Sequence, residues 1–148
     1  MTRVAAIVAG DLDTLVPLFD AYRVFYKQPS DPALARDYLA KRLGAGEYVG
    51  FLARDAAGTA IGFALMSQTF SSVGLKRIWL LNDIFVDPNA RKSGAGAALM
   101  KAVEDFARTT GAGRLDLFTA RTNATAQAVY RRAGWTEDAD YLRFQKRL

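Results

Sequence analysis

The sequence predicts a single-domain α/β fold, in which a mixed and mostly antiparallel sheet of six or seven strands is flanked by about four helices. Three observations support this prediction. The length of 148 residues fits one domain, residues 1–148, with one core. Apolar residues make up 51% of the chain, and their spacing changes from helical to alternating and back along it. No linker, repeat or low-complexity segment divides the chain.

The first third of the chain is predicted to form one strand and two helices. Residues 2–8 are apolar and partly β-branched, which is typical of a strand. A helix is expected over 11–26, and its inward face is Leu12, Leu15, Val16, Phe19 and Tyr22. A second helix is expected over 31–43, because an aspartate precedes a proline at the first helical position. Its predicted inward residues are Leu34, Tyr38 and Leu39.

The middle of the chain is predicted to form three strands. Residues 48–54 and 60–70 flank a short turn that ends in glycine, which indicates a hairpin. Residues 76–86 are rich in Ile, Trp, Leu and Phe and form the third strand.

The remaining third alternates between helices and strands. A glycine-containing segment opens a helix that is expected to run to residue 110, with Leu99, Val103, Phe106 and Ala107 directed inward. A short strand over 114–119 and a helix over 123–133 follow. A last strand is predicted over 141–148, with Tyr141, Phe144 and Leu148 as its bulky anchors.

The composition excludes several kinds of chemistry, because the chain contains neither Cys nor His. Disulfides, thiolate metal sites, a cysteine nucleophile and the Ser-His-Asp triad are therefore excluded, and we expect no metal. The longest apolar runs, 61–66 and 78–81, are far shorter than the ~20 residues that span a bilayer. The first residues contain no hydrophobic stretch of the length found in signal peptides. We expect a soluble, cytoplasmic protein with no membrane partner.

The net charge is +5, which suits an anionic partner such as a nucleic acid or a phosphorylated cofactor. A solvated surface with a basic excess explains the same charge, since no run of five like charges occurs. No motif of alternating aromatic and basic residues supports base stacking, so a nucleic-acid partner is not expected.

The most informative stretch is residues 86–96, where a strand ends and two glycines open a helix. The first N–H groups of a helix have no partner within it and lie at the positive end of its dipole. Gly94 and Gly96 leave these groups accessible, and Arg91 and Lys92 add positive charge. The combination predicts a cradle for a pyrophosphate, although a helix entry that binds nothing would share these residues. A dinucleotide fingerprint is disfavoured, because position 99 is Leu where that motif needs a third glycine.

Two motifs in this order resemble the signatures of the GNAT superfamily of N-acetyltransferases. The first is Arg91-x-x-Gly94-x-Gly96, after a strand that ends in Val. The second is Asn123-x-x-Ala126-x-x-x-Tyr130-x-x-x-Gly134-Trp135. The resemblance covers essentially the whole chain, because the predicted order of elements matches the family fold. Residues 81–88 most resemble the small diamine and polyamine enzymes and the histone/polyamine group, but Asn82 stands where the diamine enzymes have an acid.

The resemblance implies a function and a set of site residues. It implies transfer of an acetyl group from acetyl-CoA to a primary amine, on a small molecule, a lysine or a peptide, by direct transfer in a ternary complex, and it favours a homodimer. The residues expected to hold the CoA pyrophosphate are Arg91, Lys92, Ser93, Gly94, Ala95, Gly96 and Ala97. Those expected along the pantetheine arm are Ile84, Phe85, Val86, Asn123 and Ala126, and Tyr130 is expected at the thioester sulfur. The alternative is a CoA-binding regulatory module without catalytic activity.

The acceptor amine must lose a proton before it can react, and Asp83 is the nearest candidate to receive it in a chain without His. An ordinary Asp is a poor base unless burial raises its pKa. Asp83 could equally be an anionic anchor for a cationic substrate, or it could cap local backbone. The sequence leaves these three roles open.

Overall fold

The computed structural model describes all residues from Met1 to Leu148, which divide into two compact units. The first unit comprises Met1–Leu117, and the second comprises Phe118–Leu148. No helix in either unit combines the length and the apolar character that crossing a bilayer would require.

The first unit contains a five-stranded mixed sheet in the order β1-β2-β3-β4-β5. Its strands are β1 Arg3–Ala6, β2 Val49–Arg54, β3 Ala60–Ser71, β4 Lys76–Val86 and β5 Arg114–Leu117. Neighbouring strands are antiparallel except for β4 and β5, which are parallel. The crossover that a parallel pair requires is supplied by a helix between these two strands.

Three helices complete this unit, and they are α1 Leu12–Phe25, α2 Pro32–Gly44 and α3 Ala95–Thr109. Asp31 caps α2 as predicted, because its carboxylate accepts the Leu34 N–H at 3.0 Å and proline occupies the first helical position. Short 3-10 turns at Ala9–Asp11 and Pro88–Ala90 precede α1 and α3.

The helices cover the two faces of the sheet. The side chains of adjacent residues in a strand point to opposite faces of the sheet. The contacts at Gly62 and Phe63 of β3 therefore show which helix covers each face. The Phe63 ring contacts Phe19 of α1, with ring centroids 5.9 Å apart. A Cβ at Gly62 would lie 2.7 Å from the Phe85 carbonyl oxygen and 3.3 Å from Leu99 Cδ1 of α3. The missing side chain therefore lets α3 lie close to the sheet where β4 ends.

The predicted core is mostly confirmed, with one exception on α2. Leu99, Val103 and Ala107 of α3 are buried. On α2 the buried residues are Ala35 and Leu39, whereas Leu34 is 54% exposed and Tyr38 is 38% exposed, so the inward direction predicted for those two was wrong. Ala35 and Leu39, four residues apart on α2, belong to the same core cluster as Phe19 of α1. The Tyr38 ring contacts Phe19 and Tyr48 from the exposed edge of this core.

The second unit contains one helix, α4 Ala124–Arg132, and no strand. Asn123 caps α4 by accepting the Ala126 N–H at 3.1 Å, and Gly134 ends it in a left-handed conformation with φ of 92°. The backbone N–H of Trp135 donates to the Tyr130 carbonyl oxygen at 3.0 Å, and the ring centroids of these two residues are 6.3 Å apart.

Two corrections follow for the predicted sheet. It has five strands rather than six or seven, and residues 141–148 form no strand. The expected anchors Tyr141, Phe144 and Leu148 are exposed. Bulky side chains at short intervals favour an extended chain, but a strand also needs a hydrogen-bonding partner for its backbone. Residues 118–148 contain no other strand that could supply one.

Candidate functional site

A β-bulge interrupts β4 at the centre of the site. Leu65 of β3 pairs with Asp83, and the next residue, Met66, pairs with Leu81, so that Asn82 is the extra residue. The Ser67 hydroxyl donates a hydrogen bond to Asn82 Oδ1 at 2.5 Å. A bulge bends its strand and re-aims the neighbouring side chains, and here it changes the direction of the last residues of β4.

Beyond the bulge, one edge of β4 has no neighbouring strand. The pairing with β5 ends at Leu81 and Leu117, whereas β4 continues to Val86. The Asp87 N–H donates to the Ile61 carbonyl oxygen of the β3 side at 2.8 Å. Along a strand, the backbone N–H and C=O groups of successive residues point alternately to one edge and to the other. Phe85, two residues before Asp87, therefore also points its N–H and C=O toward β3, and its neighbours Ile84 and Val86 point theirs away. Ile84 and Val86 therefore present backbone donors and acceptors to the open edge.

The loop before α3 has a backbone suited to an anion. Lys92 and Gly94 are both left-handed, with φ of 67° and 83°. For Lys92 this conformation costs roughly 1–2 kcal/mol, and such strain tends to occur at functional positions. Gly94 is followed by the right-handed first turn of α3. Successive left- and right-handed residues direct their N–H groups to one side, which forms a concave anion site.

The N–H groups at this helix start are largely free to bind a ligand. The Ala95 N–H donates to the Ser93 hydroxyl at 3.3 Å, and the first helical bond runs from Ala98 N–H to the Gly94 carbonyl oxygen at 3.0 Å. The N–H groups of Gly94, Gly96 and Ala97 precede that first bond and have no partner inside the helix. No acidic residue occupies the first turn of α3, while the exposed Arg91 and Lys92 lie in the loop that leads into it.

The protein itself does not require glycine at position 96. A Cβ there would have one neighbour, Val86 Cγ2, at an ordinary contact distance of 3.9 Å. Glycine inside a helix costs roughly 0.5–1 kcal/mol relative to alanine. Glycine at position 96 is therefore neither favoured by the helix nor required by the packing. A ligand that approaches the backbone at this position would explain it. The same 3.9 Å distance places the end of the open β4 edge next to the helix start.

Asp83 lies on the opposite side of β4 from this cradle, beside a group of rings that we call the aromatic cluster. The cluster comprises Phe19, Tyr22, Tyr38, Tyr48, Phe63 and Phe85. Tyr22 is its centre, with ring centroids 5.7 Å from Phe63 and 5.8 Å from Phe85. Asp83 shares a face with Phe85, because the two residues are separated by one along the strand.

The environment of Asp83 makes it a stronger base than an ordinary aspartate. Burial raises the pKa of its carboxyl, and the hydrogen bond that it accepts from the Tyr22 hydroxyl lowers the pKa in part. No lysine or arginine forms a salt bridge with it. The carboxylate is therefore only partly exposed and has a tyrosine hydroxyl as its neighbour rather than a cation.

Tyr48 has the opposite character and is not a candidate base. Burial raises the pKa of its phenol, and its hydrogen bond with Tyr38 and the charge of Asp83 raise it further. The two hydroxyl oxygens of Tyr38 and Tyr48 are 2.6 Å apart. Tyr48 therefore stays protonated, and Asp83 remains the ionisable group of this region that can accept a proton at neutral pH.

The second unit carries the remaining predicted site residues on and next to α4. Asn123, Ala126 and Tyr130 lie at intervals of three and four residues, hence on one face of the helix. The Asn123 side-chain oxygen is used for the helix cap, which leaves its amide nitrogen to donate to a ligand.

The structure brings the predicted site residues together in two groups. Ile84, Val86 and residues 91–97 meet at the end of β4, whereas Asn123, Ala126 and Tyr130 belong to the separate second unit. Sequence reasoning missed the roles of Tyr22, Tyr38 and Tyr48. The sequence did show that these tyrosines carry a hydroxyl at positions predicted to face inward or to lie in a strand. Nothing in the sequence, however, indicates that they lie beside Asp83. The bulge at Asn82 and the early end of β5 had no sequence signal.

Comparisons with known proteins agree with this geometry. The sequence model of the Acetyltransferase (GNAT) family matches residues 14–135. An uncharacterized N-acetyltransferase of Bacillus subtilis (strain 168), YhfO, is 42% identical over 91% of this chain and 90% of its own. A probable acetyltransferase of Haemophilus influenzae is 36% identical over 71% of this chain and 72% of its own. A crystal structure of a probable acetyltransferase superposes with a TM-score of 0.94 at 36% identity, over 99% of this chain and 97% of that one.

Replacement of Asp83 by asparagine should stabilise the protein at neutral pH. The raised pKa means that the unfolded chain loses this proton at a lower pH than the folded chain does. The stability of the wild type therefore falls as the pH rises from the unfolded pKa through the folded pKa, and above that window it carries the full cost of the buried charge. We expect Asp83→Asn to melt at a higher temperature than the wild type at pH 7, with a difference that shrinks below about pH 4.

Thermal melts across this pH range measure the difference. Asp140→Asn is the matched control, because Asp140 is exposed and forms no salt bridge. Equal melting temperatures of Asp83→Asn and wild type at every pH would contradict the burial of a charged carboxylate.

Proposed function

The chain belongs to the GNAT family of acetyltransferases, and we propose that it moves an acetyl group from acetyl-CoA to a primary amine by direct transfer in a ternary complex. It is an N-acetyltransferase of the GNAT type, a family that uses acetyl-CoA as its donor. The acceptor, the ternary complex and the roles of individual residues are the proposed part.

One observation supports the proposal most strongly, namely the junction between the cradle and the open strand edge. The unpaired N–H groups of Gly94, Gly96 and Ala97 suit a pyrophosphate, and the adjacent edge at Ile84 and Val86 suits an extended arm with amide groups. Acetyl-CoA combines these two features in one molecule, with the pyrophosphate and the amide-bearing arm joined in sequence.

Individual residues receive the following roles. Arg91 and Lys92 attract the phosphates, and the backbone of residues 92–97 binds them. Ile84 and Val86 pair with the arm, while Phe85 contributes its ring to the aromatic cluster. From the second unit, the Asn123 amide would donate to the arm, Ala126 would permit its close approach, and Tyr130 would donate a proton to the sulfur.

The chemistry begins with a protonation problem. An alkyl ammonium with a pKa of ~10.4 is neutral in only about one molecule in 2,500 at pH 7, and the protonated form has no lone pair to react. Asp83 accepts the proton, directly or through water, and also holds the ammonium before the transfer. Burial raises the pKa of this carboxyl, which brings it closer to the value that suits a general base near neutral pH.

The transfer itself balances without a covalent enzyme intermediate. The amine nitrogen forms a bond to the thioester carbonyl carbon, and the bond between that carbon and sulfur breaks. Asp83 passes the first ammonium proton on to solvent, so that it can accept the second proton, which the nitrogen loses as the amide forms. The sulfur gains a proton from the Tyr130 hydroxyl, which is reprotonated from solvent. A chain without Cys, and without His to activate a hydroxyl, fits direct transfer better than an acyl-enzyme.

Three further expectations belong to the proposal. Residues 1–148 act as one N-acetyltransferase domain, since the family match spans residues 14–135 and thus parts of both units. The protein acts in the cytoplasm and forms a homodimer, as the sequence resemblance favours. The likeness to diamine and polyamine enzymes stays a prediction.

Gly96→Val should separate donor binding from folding. A side chain at this position leans toward the helix start and covers the free N–H groups, while the space around it is otherwise open. We expect acetyl-CoA to raise the melting temperature of the wild type but not of the variant, and NADH to raise neither. Gly44→Val is the control, because Gly44 also has open space around it and lies at the end of α2. A shift with NADH and none with acetyl-CoA would overturn the proposed donor.

Tyr130→Phe tests the catalytic proposal, since it keeps the ring and deletes the donor. We expect kcat to fall by about 10²-fold with the affinity for CoA nearly unchanged. Release of free thiol from acetyl-CoA over a panel of amines measures the rate, and calorimetry measures CoA binding. A variant with wild-type turnover would make Tyr130 a packing residue. Wild-type protein that binds CoA and acetylates no amine would instead be the regulatory module.

A further inference from the structure

We propose that the acceptor is a primary amine with a single positive charge on an apolar or aromatic body, selected by Asp83 and the aromatic cluster. This inference rests on the proposed function and names the class of acceptor for the same site. It follows from which acidic side chains near Asp83 already have a hydrogen-bond or ion-pair partner within the protein.

Asp83 is the one partly buried carboxylate of the chain that no protein charge or backbone N–H compensates. The acids on the neighbouring elements are engaged, since Asp20 accepts from the Ser30 hydroxyl and the Asp31 N–H, at 2.6 and 2.8 Å. Asp37 pairs with Lys41 at 3.0 Å, and Glu47 pairs with Arg42 at 2.7 Å. One uncompensated negative charge matches one ammonium group.

The surroundings of Asp83 define the rest of the ligand. Tyr22, Tyr38 and Tyr48 are the partly exposed rings of the aromatic cluster, whereas its phenylalanine rings are buried in the core. The tyrosine rings attract a cation through their faces, and their area favours an apolar body. The neighbouring side chain on β4, Asn82, is neutral, and its oxygen is occupied by Ser67. The face therefore provides no second anion for a second ammonium.

The far end of the cluster disfavours a second positive charge. From Asp83 the cluster extends through Tyr48 and Tyr38, whose hydroxyls are 2.6 Å apart. The Arg42 guanidinium lies over the Tyr38 ring, 5.3 Å from its centroid. The acid at this end, Glu47, is already paired with this guanidinium at 2.7 Å, so a second ammonium that reaches along the cluster would find no free anion there. Arg42 thus acts as a specificity-determining residue against diamines.

A matched pair of amines tests the inference. Hexylamine and 1,6-diaminohexane have the same length and differ by one terminal ammonium. We expect the wild type to use hexylamine with a kcat/KM at least about tenfold higher. The pair is also compared by calorimetric binding in the presence of CoA, so the order of the two amines is measured even if neither is acetylated.

Arg42→Gln should narrow the difference in kcat/KM between the two amines, because it frees Glu47 to pair with the second ammonium. We expect 1,6-diaminohexane to improve several-fold while hexylamine changes little. Lys41→Gln is the matched control, since Lys41 is a neighbouring α2 cation in a similar ion pair, with Asp37, and lies over no ring of the cluster. It should leave the ratio unchanged.

The outcomes separate this inference from the proposed function. A wild type that uses or binds the diamine as well as hexylamine contradicts the single-charge assignment. An Arg42→Gln variant that keeps the wild-type ratio contradicts the role of Arg42. Failure to acetylate any amine, together with the expected order of binding, contradicts the proposed function and supports the selection.

Discussion

A strand inside a sheet needs hydrogen-bond partners along both of its edges, and β4 has its second partner only as far as Leu81. The rest of the site depends on this shortfall. The backbone groups of Ile84 and Val86 cannot be satisfied by β5, so they are available to a ligand. The bulge at Asn82 gives the strand its new direction at the same point, and the close packing of α3 over Gly62 brings the helix start next to the strand end. An open edge, a bend and a glycine contact together produce one continuous surface, to which we propose that acetyl-CoA binds.

Much of this arrangement could be predicted from local sequence, and the reasons are physical. The bounds of β4 were predicted correctly because a stretch rich in Ile, Trp, Leu and Phe ends just before Asp87 and Pro88. The glycines at 94 and 96 indicated the start of a helix, and α3 begins between them, at Ala95. The bulge and the early end of β5 depend on the register between strands that are distant in sequence, which no local pattern encodes. The strand predicted over 141–148 failed for the same reason, because its side chains suit a strand but its backbone partner was not a property of the segment.

Asp83, which we propose as the base and the anchor for the amine, opposes the stability of the fold. A carboxylate among rings, without a cation, is less favourable than a neutral side chain of the same shape. From the sequence alone, this residue could be a base, an anchor or a cap. In the structure the hydrogen-bond donor to its carboxyl is the Tyr22 hydroxyl rather than a backbone N–H, which disfavours the cap, and we propose that Asp83 combines the other two roles. The burial that makes the carboxylate a better base also leaves it ready to hold a cation.

The alternation of side chains along β4 has a consequence for how such an enzyme can evolve. Asp83 and Phe85 face the aromatic cluster, whereas the side chains of Ile84 and Val86 face the helix on the other side of the sheet. Beyond the bulge, changes at positions 83 and 85 would therefore alter the face that we propose for the acceptor and leave the proposed donor cradle intact. On this proposed assignment, acceptor preference can change by single substitutions while the groups that we propose to hold acetyl-CoA stay in place.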